Sequence, residues 1–487
     1  MKIPFLPHGI WTSRHHLVLL LGGFLALVPL LQADAVDDAI NALLAKRHLP
    51  GLSLAIIQDG KIVKAQGYGV IETGQPAPVT ADTLFQAGSV SKPVAALGAL
   101  ALVESGKLNL DADINTVLKS WQVPGNEYTK TEKVTLRRIL SHSSGLTVHG
   151  FRGYSVDSPL PTLVQILNGE KPANSAPIRV DFVPGSKWRY AGGGYTVMQQ
   201  AIIDVTGQPF AEFMHQTVLA PLGMTASSYD QPLPPARAAL TATGYYQANH
   251  AVPGRWHVYP EMAAAGLWTT PSDLARFAVA IQETLAGRAH PVISKTLIRE
   301  MLTPQKEKDG LGLFLAGEGK SQRFEHNGRD EGFDTLMTAY LETGQGVVVM
   351  INANDNSNTL QRVADVVADA YHWPEYPRFK PAKAIEDKEP EVTALVKKIF
   401  EDAQGGRFDR TLYTPELTKA IEQAMANGAQ QQLQAFGAIK AIELTGREND
   451  KGARIYHYRL IQENETITVN CVFNAAGKIA GLSFRPE

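Results

Sequence analysis

Cysteine is almost missing from this chain: Cys471 is the only one among 487 residues. A single thiol excludes an intramolecular disulfide, and it also excludes a zinc site built on paired Cys-x-x-Cys motifs. No His-Glu-x-x-His motif is present either, so the sequence gives no indication of a metal site. We therefore expect stability to come from a packed core, for which the 44% content of hydrophobic residues is ordinary.

An excess of charge of either sign is also lacking. The chain carries 46 basic and 48 acidic residues, for a formal net charge of −2, and no long run of like charges. A nucleic-acid partner is not expected, because such proteins show a basic excess. Neither a Gly-x-Ser-x-Gly elbow nor a Gly-x-Gly-x-x-Gly turn after a strand occurs, which disfavours an α/β-hydrolase and a dinucleotide cofactor. We expect no cofactor.

A long apolar run with basic residues before it occurs only at the N-terminus, at 17–31, and the small-x-small pattern Ala33-Asp34-Ala35 follows. This order is typical of a secretory signal peptide. We predict that residues 1–35 are removed, that the mature chain begins at Val36, and that it is exported to the periplasm or secreted. No stable membrane insertion is expected after cleavage, and an uncleaved anchor is the alternative because the run is short for a membrane span.

A serine and a lysine stand three residues apart in the motif Ser89-Val90-Ser91-Lys92, which precedes an apolar run at 94–103. Residues at i and i+3 are neighbours on a helix, so the Ser89 hydroxyl and the Lys92 amine can touch. A serine needs an adjacent base to become a nucleophile, and burial lowers the pKa of an amine so that lysine can serve as that base. Ser91 points to another face, and a helix N-cap is the alternative role of Ser89.

The pattern of elements predicts strands at both ends of a first domain, with helices between them. An Asp-Gly turn at 59–60 separates two apolar strands, which indicates a hairpin. Strands return at 322–326, 333–341 and 346–351. Strands at the two ends of a domain can pair into one antiparallel sheet covered by helices. The helices expected in this domain are Val197–Val205, Phe210–Val218, Ser272–Thr284 and Leu360–Tyr371, besides the one that follows Ser89.

Prolines and charged residues mark a composition shift at 373–390, which we interpret as a linker between a domain at 36–372 and a smaller one at 391–487. The smaller domain begins with two helical patterns. Four segments with alternating polarity follow, and together they predict a small α+β module with a half-buried sheet.

The Ser-x-x-Lys motif is followed by further motifs in an informative order. They are Leu140-Ser141-His142-Ser143-Ser144-Gly145-Leu146, Tyr190-Ala191-Gly192, Gly266-Leu267-Trp268-Thr269-Thr270-Pro271 and His326-Asn327-Gly328. Residues 38–372 therefore resemble the serine β-lactamase and penicillin-binding-protein superfamily, in its class C-like branch of D,D-peptidases, D-aminopeptidases and carboxylesterases. The resemblance implies an α+β fold with an antiparallel sheet flanked by helices and a helical region. The C-terminal module resembles cystatin-like accessory domains, mainly through its ending at 477–482.

The resemblance also implies roles for the catalytic residues. Ser89 would be the acylated nucleophile and Lys92 its base partner. Tyr190 would act as a phenolic acid/base that carries the proton to the leaving group. His142 and Ser144 are expected to shape their loop rather than to act in catalysis.

A second set of residues, on the late strand, would hold the substrate. His326 occupies the place where many relatives have a lysine, and Gly328 would let the substrate approach the strand closely. The backbone N–H groups of Ser89 and Arg329 would form the oxyanion hole.

Two positions depart from the family pattern. Gly192 stands where relatives usually have an asparagine that contacts the substrate's acyl-amide group. His326, expected to titrate near neutrality, replaces a fixed cation that helps to hold a substrate carboxylate. We therefore expect an exported serine hydrolase acting through a Ser89 acyl-enzyme on a small carboxylic ester or D-amino-acid peptide. The alternatives are a true class C-like β-lactamase acting on lactams and a non-catalytic penicillin-binding-like sensor or scaffold.

Overall fold

The computed structural model describes residues 35–246, 250–289, 291–355, 357–378, 380–426, 428–450 and 452–487. The predicted signal peptide lies outside these residues, except for Ala35. No helix in the described ranges is both long and apolar enough to cross a membrane.

The strands and α-helices of the described residues have the following bounds. The strands are β1 Gly51–Gln58, β2 Lys61–Gly69, β3 Phe85–Gln86, β4 Tyr154–Ser155, β5 Tyr245–Tyr246, β6 His250–Ala251, β7 His257–Val258, β8 Trp268–Thr269, β9 Phe314–Ala316, β10 Arg323–Asp330, β11 Phe333–Tyr340, β12 Gly346–Ile351, β13 Ile439–Asp450, β14 Ala453–Gln462, β15 Thr466–Phe473 and β16 Ile479–Pro486. The helices are α1 35–47, α2 Ser91–Glu104, α3 Leu136–Leu140, α4 Leu163–Asn168, α5 Gly192–Thr206, α6 Phe210–Met214, α7 Pro235–Ala238, α8 Met262–Ala265, α9 Pro271–Leu285, α10 Lys295–Met301, α11 Thr359–Ala370, α12 Pro390–Gln404, α13 Pro415–Ala426 and α14 Ala429–Ala435.

The chain divides into two compact units. The first runs to Asn354 and includes Val363–Tyr376, and the second combines Asp355–Arg362 with Pro377–Glu487. Trp373, at the start of the proposed linker, is 4% exposed. Its ring packs on Tyr340, with 5.5 Å between ring centroids, inside the first unit. The division into domains at 36–372 and 391–487 stays a prediction.

An antiparallel sheet in the order β2-β1-β12-β11-β10-β9 forms the centre of the first unit. The early hairpin therefore pairs with the late strands, as the sequence pattern predicted. β1 is buried along nearly its whole length because α9 packs against it, whereas β2 is an edge strand with alternating exposure. α9 begins where Thr270 caps it, since the Thr270 side chain accepts a hydrogen bond from the Asp273 N–H.

The helix predicted from Val197 begins five residues earlier, at Gly192. Glycines are poor helix formers, which is why the sequence pattern placed them outside the helix. The helix predicted at Phe210–Val218 likewise ends at Met214 as an α-helix and continues as a π-helical turn, His215–Leu219. The predicted α+β class with an antiparallel sheet is confirmed.

In the second unit, the sheet β13-β14-β15-β16 is antiparallel throughout. Ile467, Val469, Cys471 and Phe473 share the buried face of β15, as the alternation predicted. Their core also contains apolar side chains of α12. This arrangement is a small α+β module, and the cystatin-like resemblance stays an expectation for it.

Candidate active site

Ser89 lies in a 3₁₀ turn, Gly88–Val90, that leads directly into α2. The turn needs a glycine at position 88, where φ is +53°. A Cβ atom there would also lie only 2.4 Å from the backbone nitrogen of Arg329. Ser89 keeps partial exposure while its neighbours are buried. The Ser89 hydroxyl is therefore partly accessible to solvent, whereas the residues on either side of it are buried.

Lys92 is 2% exposed and its side chain points back to that hydroxyl. Its Nζ donates hydrogen bonds to Ser89 Oγ at 2.9 Å and to the carbonyl of Ala264 at 2.8 Å. Burial lowers the pKa of Lys92 to about 7, and the carboxylate of Asp330 opposes this shift. A large fraction of Lys92 is therefore neutral at pH 7, as a general base for Ser89 must be.

Tyr190 lies on the same side of Lys92. The Lys92 Nζ is 5.0 Å from the centroid of the Tyr190 ring. Burial of the phenol raises the pKa of Tyr190 well above its ordinary value, and a hydrogen bond with the Ser89 side chain opposes this only in part. The Tyr190 phenol therefore keeps its proton at neutral pH and is suited to donate it. The structure thus brings the three predicted catalytic residues together.

The His142 ring packs against the Tyr190 ring. The two ring centroids are 4.2 Å apart, and His142 Nδ1 accepts a hydrogen bond from the Ala191 N–H. Burial, followed by the nearby Lys92, lowers the pKa of His142 well below its usual range. A neutral imidazole that is 3% exposed fits the loop-shaping role expected for this residue.

The strand β10 passes directly against the Ser89 turn. A Cβ on Gly328 would lie 1.9 Å from the Ala87 carbonyl oxygen and 3.0 Å from the Ser89 nitrogen. Gly328 is therefore required for the packing of β10 against the nucleophile turn. The role expected from the sequence, a close approach of the substrate to the strand, stays a prediction. The same approach places the backbones of Ser89 and Arg329 side by side, where an oxyanion hole is expected.

His326 is buried at 2% exposure and stacks on Phe314, with 4.8 Å between ring centroids. Its Nδ1–H donates to the carbonyl of Asn327 at 2.7 Å, so Nε2 carries the lone pair. Burial, together with Lys92, lowers the pKa of His326 to about 3, against a smaller opposing effect of the Asn327 carbonyl. The expectation that His326 titrates near neutrality is therefore wrong: the ring is neutral over the physiological range because it is desolvated.

Two buried acids, of which Asp330 lies near Lys92, escaped the sequence analysis. Asp330, at the end of β10, is 2% exposed, and Glu261, just before α8, is fully buried. Burial raises the pKa of both carboxyl groups, that of Glu261 to about 7. The Gly88 N–H and Lys92 favour ionised Asp330, but neither of its oxygens has a hydrogen-bond partner of ordinary geometry in the described residues. A lone acid at the end of a strand gives no sequence signal, since only the packing places it beside Lys92.

The activity should rise with pH to a plateau above about pH 7, because Lys92 must lose its proton before it can accept one from Ser89. Below that pKa, kcat/KM for a non-ionising ester should fall about tenfold per pH unit. Measurement of kcat/KM from pH 5 to 9 tests this, and a flat profile would contradict it.

Two other buried groups could produce the same fall of kcat/KM at acid pH, the acid limb of the profile. Burial raises the pKa of both Glu261 and Asp309 to about 7. No hydrogen bond joins either carboxyl group to Ser89 in the described part of the chain, whereas Lys92 Nζ donates one to Ser89 Oγ. Glu261→Gln and Asp309→Asn should therefore retain the acid limb. A variant in which the limb disappears would assign it to that carboxyl group instead of to Lys92.

This chain resembles known proteins in sequence and in fold. Penicillin-binding protein 4 of Amycolatopsis lactamdurans is 29% identical over 249 residues, which are 50% of this chain and 62% of that protein, so the chain spans less than two thirds of its length. The octameric penicillin-binding protein homologue of Pyrococcus abyssi matches in fold over 90% of both chains, with a TM-score of 0.58 and 20% identity. A D-amino acid amidase of Ochrobactrum anthropi matches over 70% of this chain and 99% of its own, with a TM-score of 0.56 and 22% identity.

A family model extends this likeness beyond single relatives. The model described as Beta-lactamase matches residues 36–372, which contain the Ser89 turn, Tyr190 and β10. The chain belongs to the Beta-lactamase family.

Proposed function

We propose that this protein is a serine hydrolase that forms an acyl-enzyme on Ser89 with small carboxylic esters or D-amino-acid peptides. The observation that carries the proposal is the 2.9 Å contact between Lys92 Nζ and Ser89 Oγ, made by a lysine whose burial lowers its pKa to about 7. A lysine that only packed in a core would not need to face a partly exposed hydroxyl.

Acylation follows from the protonation states of the three residues. Neutral Lys92 accepts the Ser89 proton while Oγ attacks the substrate carbonyl carbon. The oxygen that becomes negative faces the backbone N–H groups of Ser89 and Arg329. Tyr190, still protonated, donates to the leaving group and regains its proton from Lys92. In deacylation a water molecule replaces the leaving group and the proton transfers run in reverse.

The substrate class follows from the charges along β10. The position where many family members carry a cation holds the neutral His326. The guanidinium of Arg329 donates to both carboxylate oxygens of Asp334, at 2.6 and 2.5 Å, and is committed to that pair. A substrate carboxylate would therefore be held weakly. Penicillins and cephalosporins carry such a carboxylate, whereas esters depend mainly on the oxyanion hole.

We expect a short-chain p-nitrophenyl ester and a small D-amino-acid peptide without a free C-terminal carboxylate to have a higher kcat/KM than nitrocefin, measured on one preparation. A lactam that acylates Ser89 should deacylate slowly and act as an inhibitor. Nitrocefin turnover well above the other two substrates, and absent in Ser89→Ala, would make the protein a β-lactamase. Failure of all three substrates and of a fluorophosphonate to modify Ser89 would favour a non-catalytic sensor or scaffold. Export through residues 1–35 is part of the same proposal.

A further inference from the structure

Asp330 is the last residue of β10 and lies on the strand face that meets the Ser89 turn. At this end of the strand Gly328 and Asp330 are buried, and Arg329 between them is exposed. Gly328 is the residue that packs against the Ala87 carbonyl oxygen. Side chains two positions apart on a strand point to the same face, so the Asp330 carboxylate enters the buried layer beside the nucleophile turn.

Hydrogen bonds fix the backbone that carries this carboxylate. Asp330 is followed by the two-residue turn Glu331-Gly332, which leads to β11. The side-chain amide of Asn354 donates to the Asp330 carbonyl at 2.7 Å, and its oxygen accepts from the Gly332 N–H at 2.8 Å. The Glu331 N–H donates to the Tyr259 hydroxyl at 2.9 Å. Because the turn is held on both sides, the position of the Asp330 side chain is defined.

The Asp330 carboxylate is buried without a hydrogen-bond partner. The residue is 2% exposed, and neither of its oxygens has such a partner among the described residues. A carboxylate in this situation is costly unless another charge compensates for it. The titratable groups that face it are Lys92 on α2, Glu261 before α8, Tyr259 and, on its own turn, Glu331. Of these four, Lys92 is the one that can carry a positive charge.

Lys92 has the complementary requirement, because it becomes a buried ammonium ion when it acts as a base. Its Nζ is 5.0 Å from the ring centroid of Tyr190 and 5.7 Å from that of Tyr195. Both phenols keep their protons, since burial raises their pKa values. The nearby imidazoles of His142 and His326 are neutral, because burial lowers their pKa values. None of these four rings supplies a negative charge.

We propose that Asp330 is a positioning residue that acts through Lys92: its buried carboxylate stabilises the ammonium that forms on Lys92 as Ser89 attacks the substrate. This rests on the proposed acyl-enzyme chemistry at Ser89. The proton moves from Ser89 Oγ to Lys92 Nζ while Oγ bonds to the carbonyl carbon, and none passes to Asp330. Burial lowers the pKa of Lys92 and the Asp330 carboxylate raises it in part; burial raises the pKa of Asp330 and Lys92 lowers it in part. Asp330 thus makes Lys92 a stronger base than burial alone would allow.

Asp330→Asn removes the charge and keeps the shape of the side chain. Without the carboxylate the pKa of Lys92 should fall, so the acid limb of kcat/KM for p-nitrophenyl acetate, corrected for spontaneous hydrolysis, should move to lower pH by about one unit. The weaker base should lower the plateau above pH 8 by about three- to tenfold. At pH 5 the variant should therefore match or exceed the unaltered protein. Asp330→Glu, which keeps the charge, should keep the midpoint of the limb.

Glu331→Gln is the matched control, because Glu331 is the neighbouring acid and is partly exposed, whereas Asp330 is the carboxylate that acts on the pKa of Lys92. Its pH profile should coincide with that of the unaltered protein. If Asp330→Asn does not fold, Asp330→Ser removes the same charge with less bulk and should give the same shift.

Three results would overturn the proposal. An unchanged profile in Asp330→Asn would show that the carboxylate does not act on Lys92. A kcat/KM that falls by the same factor at every pH would show that Asp330 only supports the fold. Disappearance of the acid limb would make Asp330 itself the titrating group. Turnover that persists in Ser89→Ala would instead refute the acyl-enzyme chemistry, whatever the profile of the Asp330 variants.

Discussion

Ser89→Ala should lower kcat/KM for any accepted ester or peptide by on the order of 10⁶-fold, the scale seen when an essential serine nucleophile is removed. The Ser89 hydroxyl is the group that Lys92 Nζ reaches at 2.9 Å, and alanine leaves nothing for the carbonyl carbon to bond to. Ser89 is partly exposed, so the substitution should change the melting temperature little. Mass spectrometry after a fluorophosphonate should show an adduct on the unaltered protein and none on the variant.

Ser91→Ala is the matched control, two residues away. The Ser91 hydroxyl is buried and accepts a hydrogen bond from the Leu267 N–H at 3.0 Å, so its role is structural. Its loss should cost about 1 kcal/mol of unfolding free energy while turnover persists. A Ser89→Ala protein with near-normal activity, or a labelled Ser91, would show that the nucleophile is assigned to the wrong residue.

The parts of this site that depend on local spacing could be predicted from the sequence. Ser89 and Lys92 are three residues apart, and the helical spacing alone brings their side chains within reach. The sheet was predictable for a similar reason, since β1 and β12 are apolar runs bounded by turns and strands of that kind pair. Tyr190 and His326, by contrast, were placed through the family resemblance, because nothing local to either residue indicates what lies opposite it.

What the sequence missed depends on burial and on long-range packing. The neutral state of His326 arises because Phe314 covers its ring, and the two residues belong to different strands. Gly192 was interpreted only as the loss of an amide, whereas its role is to receive the carbonyl of His149. Val148 has φ of +67°, and this left-handed conformation has no sequence signal, because a valine in a loop does not reveal the sign of its φ.

Lys92→Met and Tyr190→Phe should each lower the acylation rate by about 10³-fold or more, and the double variant should lose little beyond the larger single loss. Residues that act as one unit give strongly non-additive losses. Lys92 must take the Ser89 proton before Tyr190 can be reprotonated, so removing either residue breaks the same transfer. The Nζ lies 5.0 Å from the Tyr190 ring, and each side chain contacts Ser89.

Pre-steady-state acylation by a p-nitrophenyl ester gives the rate constant for this step alone. Methionine replaces the buried lysine stem with an apolar one of similar length, so the Lys92→Met protein should fold and should melt at least as high as the unaltered protein. Tyr190→Phe keeps the ring against His142, which separates the proton transfer from the packing. If the double loss equals the product of the two single losses, Lys92 and Tyr190 act independently, and the proton does not pass between them.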